Sequence, residues 1–326
     1  MPHIEPFDAP RRPRIAWRDL DGVVLLDKPA GPSSSSALQQ VRRLLRAAKG
    51  GHAGTLDPLA TGMLPLCFGQ ATKSCGTLLG GAKSYAVRLQ LGTATDTGDA
   101  EGATVSSSPV PSLERALVEA ALASLVGVQE QVPPMHSALK HQGRRLYELA
   151  RAGETVERPA RRIEVRAASL QYLAADRVDF TVECTTGTYV RVLGEELARR
   201  IGTVGHLAAL RRLWVEPFAA RPMVGIEQIE AWSALDGSAP PDWLLPVDAG
   251  LEALPALQLS APQERALLQG RRIQAPAGAG ETSRVYAGDG AFLGVVVAAG
   301  SGLLRVQRLY VEPGPRLALR GLPPGT

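Results

Sequence analysis

The residues best placed to do chemistry lie between Gly50 and Lys73, where the chain reads Gly-Gly-His-Ala-Gly-Thr-Leu-Asp-Pro-Leu-Ala-Thr-Gly-Met-Leu-Pro-Leu-Cys-Phe-Gly-Gln-Ala-Thr-Lys. One carboxylate, Asp57, stands in the middle of it. Glycines at 50, 51, 54, 62 and 69 permit backbone angles that other residues resist, or close approach to a ligand. Pro58 and Pro65 stiffen the path between them. A carboxylate in such a loop can act as a nucleophile or balance a developing positive charge. An Asp-Pro step also starts turns, because the side chain bonds nearby amides, and for Asp57 taken alone the turn is the readier explanation.

The surrounding elements must position that loop. Gly22 to Asp27 is a short apolar run bounded by turn residues, hence a buried strand, and Lys28-Pro29-Ala30-Gly31-Pro32 forces a turn after it. Serines 33 to 36 can cap a helix that carries Leu38, Val41, Leu44 and Leu45 on one face, with Arg42, Arg43 and Arg46 largely off it. Beyond the loop, Tyr85, Val87, Leu89 and Leu91 alternate with polar or small residues, the period of a half-buried strand. Gly92 to Gly102 is polar and turn-rich and reads as a mobile loop. Ser112 is placed as the cap of a helix with Leu113, Leu117, Leu122 and Leu125 inward, and a second helix over 146–152 stops at Gly153. Residues 163–173 and 178–184 read as strands, and a helix runs from Tyr189-Val190-Arg191 through Leu197. Strands and helices alternating in this way predict an α+β domain on a largely antiparallel sheet.

The chain has 326 residues, long enough for two domains. Residues 1–18 are rich in Pro and Arg and read as a flexible basic arm, and 19–245 as the main domain. The Pro-, Gly- and Asp-rich stretch 233–256 reads as a linker, 250–312 as a second, β-rich domain, and 313–326 as a disordered tail. A net charge of +4 is mild; it permits a polyanionic partner without demanding one. Cys67, Cys75 and Cys184 form no CxxC pair, which suits reduced thiols in a cytosolic protein. No secretory leader and no run of about 18 apolar residues is present, so neither export nor a membrane span is expected.

Gly51 to Gly62, followed by Leu64-Pro65, closely resembles the catalytic motif of the TruB family of tRNA pseudouridine synthases. Further stretches are similar to the family's other motifs and fall in its order. They are Gly22 to Ser34 with its Leu-Asp-Lys-Pro-Ala-Gly core, Lys83-Ser84-Tyr85-Ala86-Val87, Gln131 to Gly153, and Gly187-Thr188-Tyr189-Val190-Arg191. One glycine-rich loop is weak support, whereas an ordered set is strong. Leu267 to Ile273 and Phe292 to Val295 resemble, less closely, the small RNA-binding PUA-like β-barrel that bacterial members append.

The resemblance implies a pseudouridine-synthase catalytic domain and an enzyme that isomerises the T-loop uridine of tRNA, position 55, after flipping it out of the stack. It assigns the central carboxylate to Asp57, the arginine that pairs with it to Arg191, and the tyrosine that stacks on the flipped base and takes part in the isomerisation to Tyr85. Gly54, Thr55 and Leu56 belong to the same motif. His52 matches the residue that fills the gap left in the RNA, and Asp96 the acidic loop near the active site. Lys28, Lys73 and Lys140 are candidates for phosphate contacts, with exposed solubilising lysines as the rival reading, and Tyr189 and Leu210 for pocket lining. An insertion lies over about 105–160, and its stretch from Ser108 to Val132 resembles the RNA-gripping element of the stand-alone form, so no guide RNA or protein partner is implied. No metal or organic cofactor is expected, and a cytoplasmic monomer is. The competing reading is a non-catalytic tRNA-binding or tRNA-folding protein of the same fold, which would have no need of Asp57, Tyr85 and Arg191 together.

Overall fold

The structure, a computed structural model, describes residues 16–137, 139–235 and 241–311. The tail read over 313–326 and the arm up to Ile15 lie outside the described residues. Of the last three residues assigned to the arm, Ala16 and Trp17 are exposed, but Arg18 is tied to the domain. Arg18 donates its N–H to Arg46 O at 2.8 Å, and its guanidinium lies 5.2 Å from the ring centroid of Trp232.

Strand β1 (Gly22–Lys28) leads into helix α1 (Ser34–Leu44), capped by Ser33, whose hydroxyl accepts the N–H of Ser36. Strand β2 (Gly50–His52), the glycine loop, β3 (Thr61–Phe68), helix α2 (Cys75–Leu79) and β4 (Lys83–Leu91) follow. A small hairpin, β5 (Thr93–Thr95) and β6 (Thr104–Ser107), frames the acidic loop. Helix α3 (Arg115–Ala123) begins behind Glu114, not Ser112. That start turns Val118, Ala121 and Leu122 inward and leaves Leu117 exposed, because Leu117 falls one helical step off the face the other three share. After β7 (Gly127–Gln131) comes a second hairpin, β8 (Lys140–His141) and β9 (Arg144–Arg145), then α4 (Leu146–Arg151) with Gly153 at φ +75° just beyond. Strands β10 (Arg161–Leu173) and β11 (Arg177–Cys184), helix α5 (Val190–Ile201), β12 (Gly205–Val215), helix α6 (Ile226–Ala234) and β13 (Leu244–Leu245) complete the larger body.

Its nine-stranded sheet runs β13-β1-β3-β12-β4-β11-β10-β7, with β2 also paired to β3. Every pairing is antiparallel except β3 with β12. The sheet is buried on both faces along its centre. Val24 and Leu26 of β1 join the main core with residues of α1, α3, α5 and α6, while Val23 and Leu25 join a smaller core with Phe218 and Ala249 on the opposite face. Burial on both sides explains why β1 reads as an unbroken apolar run.

The second body is a five-stranded sheet, β14 (Ala256–Gln258), β16 (Thr282–Tyr286), β17 (Phe292–Ala298), β18 (Leu303–Leu309) and β15 (Ile273–Gln274) in spatial order, with helix α7 (Ala261–Leu268) beside it. It curls into a half-barrel. The stretch read as a linker over 233–256 is more than a tether. Within it β13 pairs with β1, Ala249 and Leu251 are buried, and Asp248 accepts from Arg284 Nη1 at 2.9 Å. Proline, glycine and aspartate here shape a path over apolar surface, a use that composition does not distinguish from looseness.

Candidate active site

The loop between β2 and β3 is held from several sides. Ser34 Oγ, at the start of α1, accepts the N–H of Leu56 at 2.8 Å and donates to its carbonyl at 3.0 Å. Lys28, fully buried at the end of β1, donates to the carbonyls of Pro29 (2.9 Å), Pro32 (2.8 Å) and Pro58 (3.2 Å). Arg212 of β12 donates to Met63 O at 2.7 Å and to Thr55 O at 3.4 Å. Gly62 is dictated by this packing. Its φ is +96°, and a Cβ there would stand 2.1 Å from the carbonyl oxygen of Arg212.

So fixed, Asp57 meets Arg191, whose Nε lies 3.1 Å from Asp57 Oδ2. Arg191 is the second residue of α5, and its side chain is 6% exposed. The rest of its guanidinium is occupied as well. Nη1 donates to Thr97 O at 2.6 Å and lies 3.4 Å from Asp99 Oδ2, and Nη2 donates to His136 O at 2.6 Å. One arginine thus ties together the catalytic-type loop, the acidic loop and the segment before β8. The Asp57 side chain remains 37% exposed, so one side of the carboxylate faces outward. Burial raises its pKa, and Asp99 adds to that; Arg191 and, more weakly, Lys28 act against it. Burial likewise lowers Lys28 to about 8, with Asp57 and Glu101 opposing.

Tyr85 of β4 is buried on the face of the sheet that carries the main core, and its phenol pKa is raised, chiefly by burial. Leu210 lies opposite Val87 on β12 and is buried on that same face. Gly54, at φ +100°, packs its α-carbon side against the Arg212 guanidinium. His52 ends β2, half-buried, and burial lowers its pKa, which keeps the imidazole neutral at pH 7. Tyr189 precedes α5 and is clamped by Gln131 through both its N–H (2.8 Å) and its carbonyl (3.1 Å).

Three sequence-named residues take other places. Asp96 is exposed and accepts the N–H of Ala103 at 2.9 Å, shaping its own loop, while Asp99 reaches Arg191. The loop itself is pinned, since Ala100 N–H donates to Leu207 O and Leu207 N–H to Gly98 O. Lys28 is spent on carbonyls and offers no surface for a phosphate. Lys73 donates to Leu309 O at 2.8 Å, joining the two bodies. Lys140 is exposed on β8. Sequence reasoning missed Asp99, Ser34 and Arg212. Asp99 shares a loop with Asp96, so the signal was present but three residues off. Arg212 gave none, because arginines in a strand read as solvent-facing.

Among the described residues no group of His, Cys, Asp and Glu is arranged to hold a metal ion, and no helix is long and apolar enough to cross a membrane.

Comparison with solved structures places the architecture. The chain is similar to one in a Cbf5-Nop10-Gar1 complex, with a TM-score of 0.66 and 21% identity over 92% of this chain and 88% of the other. It is also similar to one in an H/ACA ribonucleoprotein bound to a substrate RNA containing 2′-deoxyuridine, with a TM-score of 0.65 and 19% identity. The fold is that of the pseudouridine synthases, and in this chain a glycine loop presents a carboxylate to a buried arginine. Family models match in succession. The TruB family pseudouridylate synthase N-terminal domain covers residues 42–190, the tRNA pseudouridylate synthase B C-terminal domain 191–252, and the pseudouridine synthase II TruB C-terminal model 255–310. A tRNA pseudouridine synthase B of Xanthomonas campestris is 46% identical over 92% of this chain and 97% of its own length. One of Chromohalobacter salexigens is 48% identical over 89% of this chain and 94% of its own. The chain belongs to the TruB family of pseudouridylate synthases.

Proposed function

We propose that the protein converts the T-loop uridine of tRNA, position 55, to pseudouridine, acting as a cytoplasmic monomer without a guide RNA. The observation that carries this reading is the ion pair between Asp57 and the buried Arg191, which orients a carboxylate whose other side stays open. The reaction breaks the bond from C1′ to uracil N1, turns the base, and joins C1′ to C5; C5 loses a proton and N1 gains one. A carboxylate meets the electron-poor centre that bond cleavage creates, by bonding to it or by balancing its charge. Arg191 favours the ionised carboxylate in a site where burial favours the neutral acid. Tyr85 stacks on the flipped base and carries the proton between C5 and N1.

A uridine stacked in a folded loop must leave the stack to be reached. His52, neutral and close to Asp57 in the chain, fills the gap by stacking. Lys140, exposed on the β8–β9 hairpin beside Arg144 and Arg145, contacts phosphates. Independence from guide RNA is supported by relatives that match over nearly their whole length and are named for tRNA. The chains in the solved complexes share the fold but only about a fifth of the aligned residues.

The test is tritium release from tRNA labelled at uridine C5, comparing the wild type with Asp57→Asn. Release by the wild type at one equivalent per tRNA, lost in the variant while binding persists, is expected. Tight binding without release by the wild type would leave the non-catalytic reading instead, and equal release by both proteins would exclude Asp57 as the central carboxylate.

A further inference from the structure

Among the described residues at the site, the guanidinium of Arg212 has a buried nitrogen, Nη2, that finds no hydrogen-bond partner. The residue is 1% exposed and heads the largest fully buried side chains. Nε and Nη1 are engaged by the carbonyls of Met63, on β3, and Thr55, on the loop that presents Asp57. Nη2 is as deeply enclosed and makes no hydrogen bond to a described residue. A buried donor on a cation without an acceptor costs stability.

Strand register shows what lies beside it. Arg212 stands directly opposite Tyr85 across the antiparallel β12–β4 pair, so both side chains rise from the same face. On its other flank the parallel pairing sets it against Gly62, which has no side chain to compete for that space. The two residues are therefore confined to each other between β3 and β4.

We propose that Arg212 is a positioning residue for Tyr85, its free Nη2 holding the phenolic oxygen and stabilising the phenolate. The proposal rests on the reading that Tyr85 carries the proton of the isomerisation. In that step the phenolate accepts the proton leaving C5 and the resulting phenol passes one to N1, so protons balance and no further reactant is needed. The groups that bear on the phenol are Arg212 from β12, Cys184 from β11 and Asp57 from the loop. Burial, Cys184 and Asp57 all push its pKa up; the positive charge of Arg212 pushes it down. Without Arg212, Tyr85 would reach its basic form only at higher pH.

Single-turnover pseudouridine formation, followed from pH 6 to 10, tests this in Arg212→Lys and Arg212→Gln, each with and without Tyr85→Phe. Thermal melts identify any variant that does not fold. The expected result is a loss of at least about tenfold at pH 7 that shrinks as pH rises, larger for Gln than for Lys. In the Tyr85→Phe background the Arg212 substitutions should add little. Replacing Tyr85 with the more acidic 3-fluorotyrosine should restore much of the rate to Arg212→Lys, which needs only that variant to fold. A loss uniform across pH, additive with Tyr85→Phe and not rescued by fluorotyrosine, would overturn the proposal and leave Arg212 as a prop for the loop. Full activity of Tyr85→Phe alone would instead overturn the proton role of Tyr85, and the proposal with it, while leaving Asp57 and Arg191 untouched.

Discussion

In the role proposed for it Asp57 must be ionised, and burial and Asp99 work against ionisation. Burial and the neighbouring Asp99 raise its pKa, and Arg191 recovers only part of that. The linkage to stability has a definite sign. A carboxyl whose folded pKa lies above its unfolded value contributes stability at low pH that is lost as pH rises through the folded pKa. Asp57→Asn should therefore melt higher than the wild type at pH 7, with the gain fading as the pH is lowered toward 4, in calorimetry at several pH values. A variant that melts lower than the wild type at pH 7 would show that the ion pair outweighs the burial. Asp57, Arg191 and Tyr85 could be named from the order of motifs, because each sits in a run of distinctive residue types. Asp99 and Arg212 could not, since what recruits them is a partner far away in sequence: Arg191 for the first, Met63, Thr55 and Tyr85 for the second.

The element that decides the geometry of the site is the parallel pair β3–β12, the sole parallel pairing in the large sheet. It brings Arg211 and Arg212 to the centre of the sheet, where Arg211 forms a two-pronged pair with Asp27 at 2.9 and 2.8 Å. Gly62 is the point of closest approach. Gly62→Ala should destabilise the protein by at least about 1–3 kcal/mol, from the positive φ alone, and the clash with Arg212 O should also reduce turnover by displacing that strand. Gly76→Ala, in α2 with open space around the glycine, is the control and should be neutral or stabilising by up to about 1 kcal/mol. Chemical denaturation of both variants, with tritium release alongside, separates the two effects; equal stability of the pair would refute the packing explanation. Strands with clean alternation, such as β4 and β11, and helix α1 with its serine cap were legible in the sequence. Strand β12 was not, because two adjacent arginines hide its period, and α6 was obscured by the turn-rich composition that follows it.

At the scale of the whole molecule the two bodies are joined by a small polar seam. Lys73 donates to Leu309 O, Ser74 Oγ and Tyr310 Oη lie 2.8 Å apart, and Arg284 and Tyr286 both hold Asp248. Ser74 and Tyr310 are both buried, so removing one hydroxyl strands the other. Tyr310→Phe should cost about 1–3 kcal/mol, and adding Ser74→Ala should return part of it, because a pair removed together leaves no unsatisfied group. Denaturant titrations of the two single variants and the double variant check this, and strict additivity would refute it. Sequence by itself determined the class of fold, the order of its motifs and the carboxylate at their centre. Those properties are written in local patterns, in glycines, proline steps and periods of two and of 3.6. Tertiary structure decided which acidic residue joins Arg191, that Lys28 and Lys73 support the protein from within, and that Arg212 faces Tyr85. Such roles depend on which strands become neighbours, and a charged side chain reads alike in sequence whether water or a folded partner meets it.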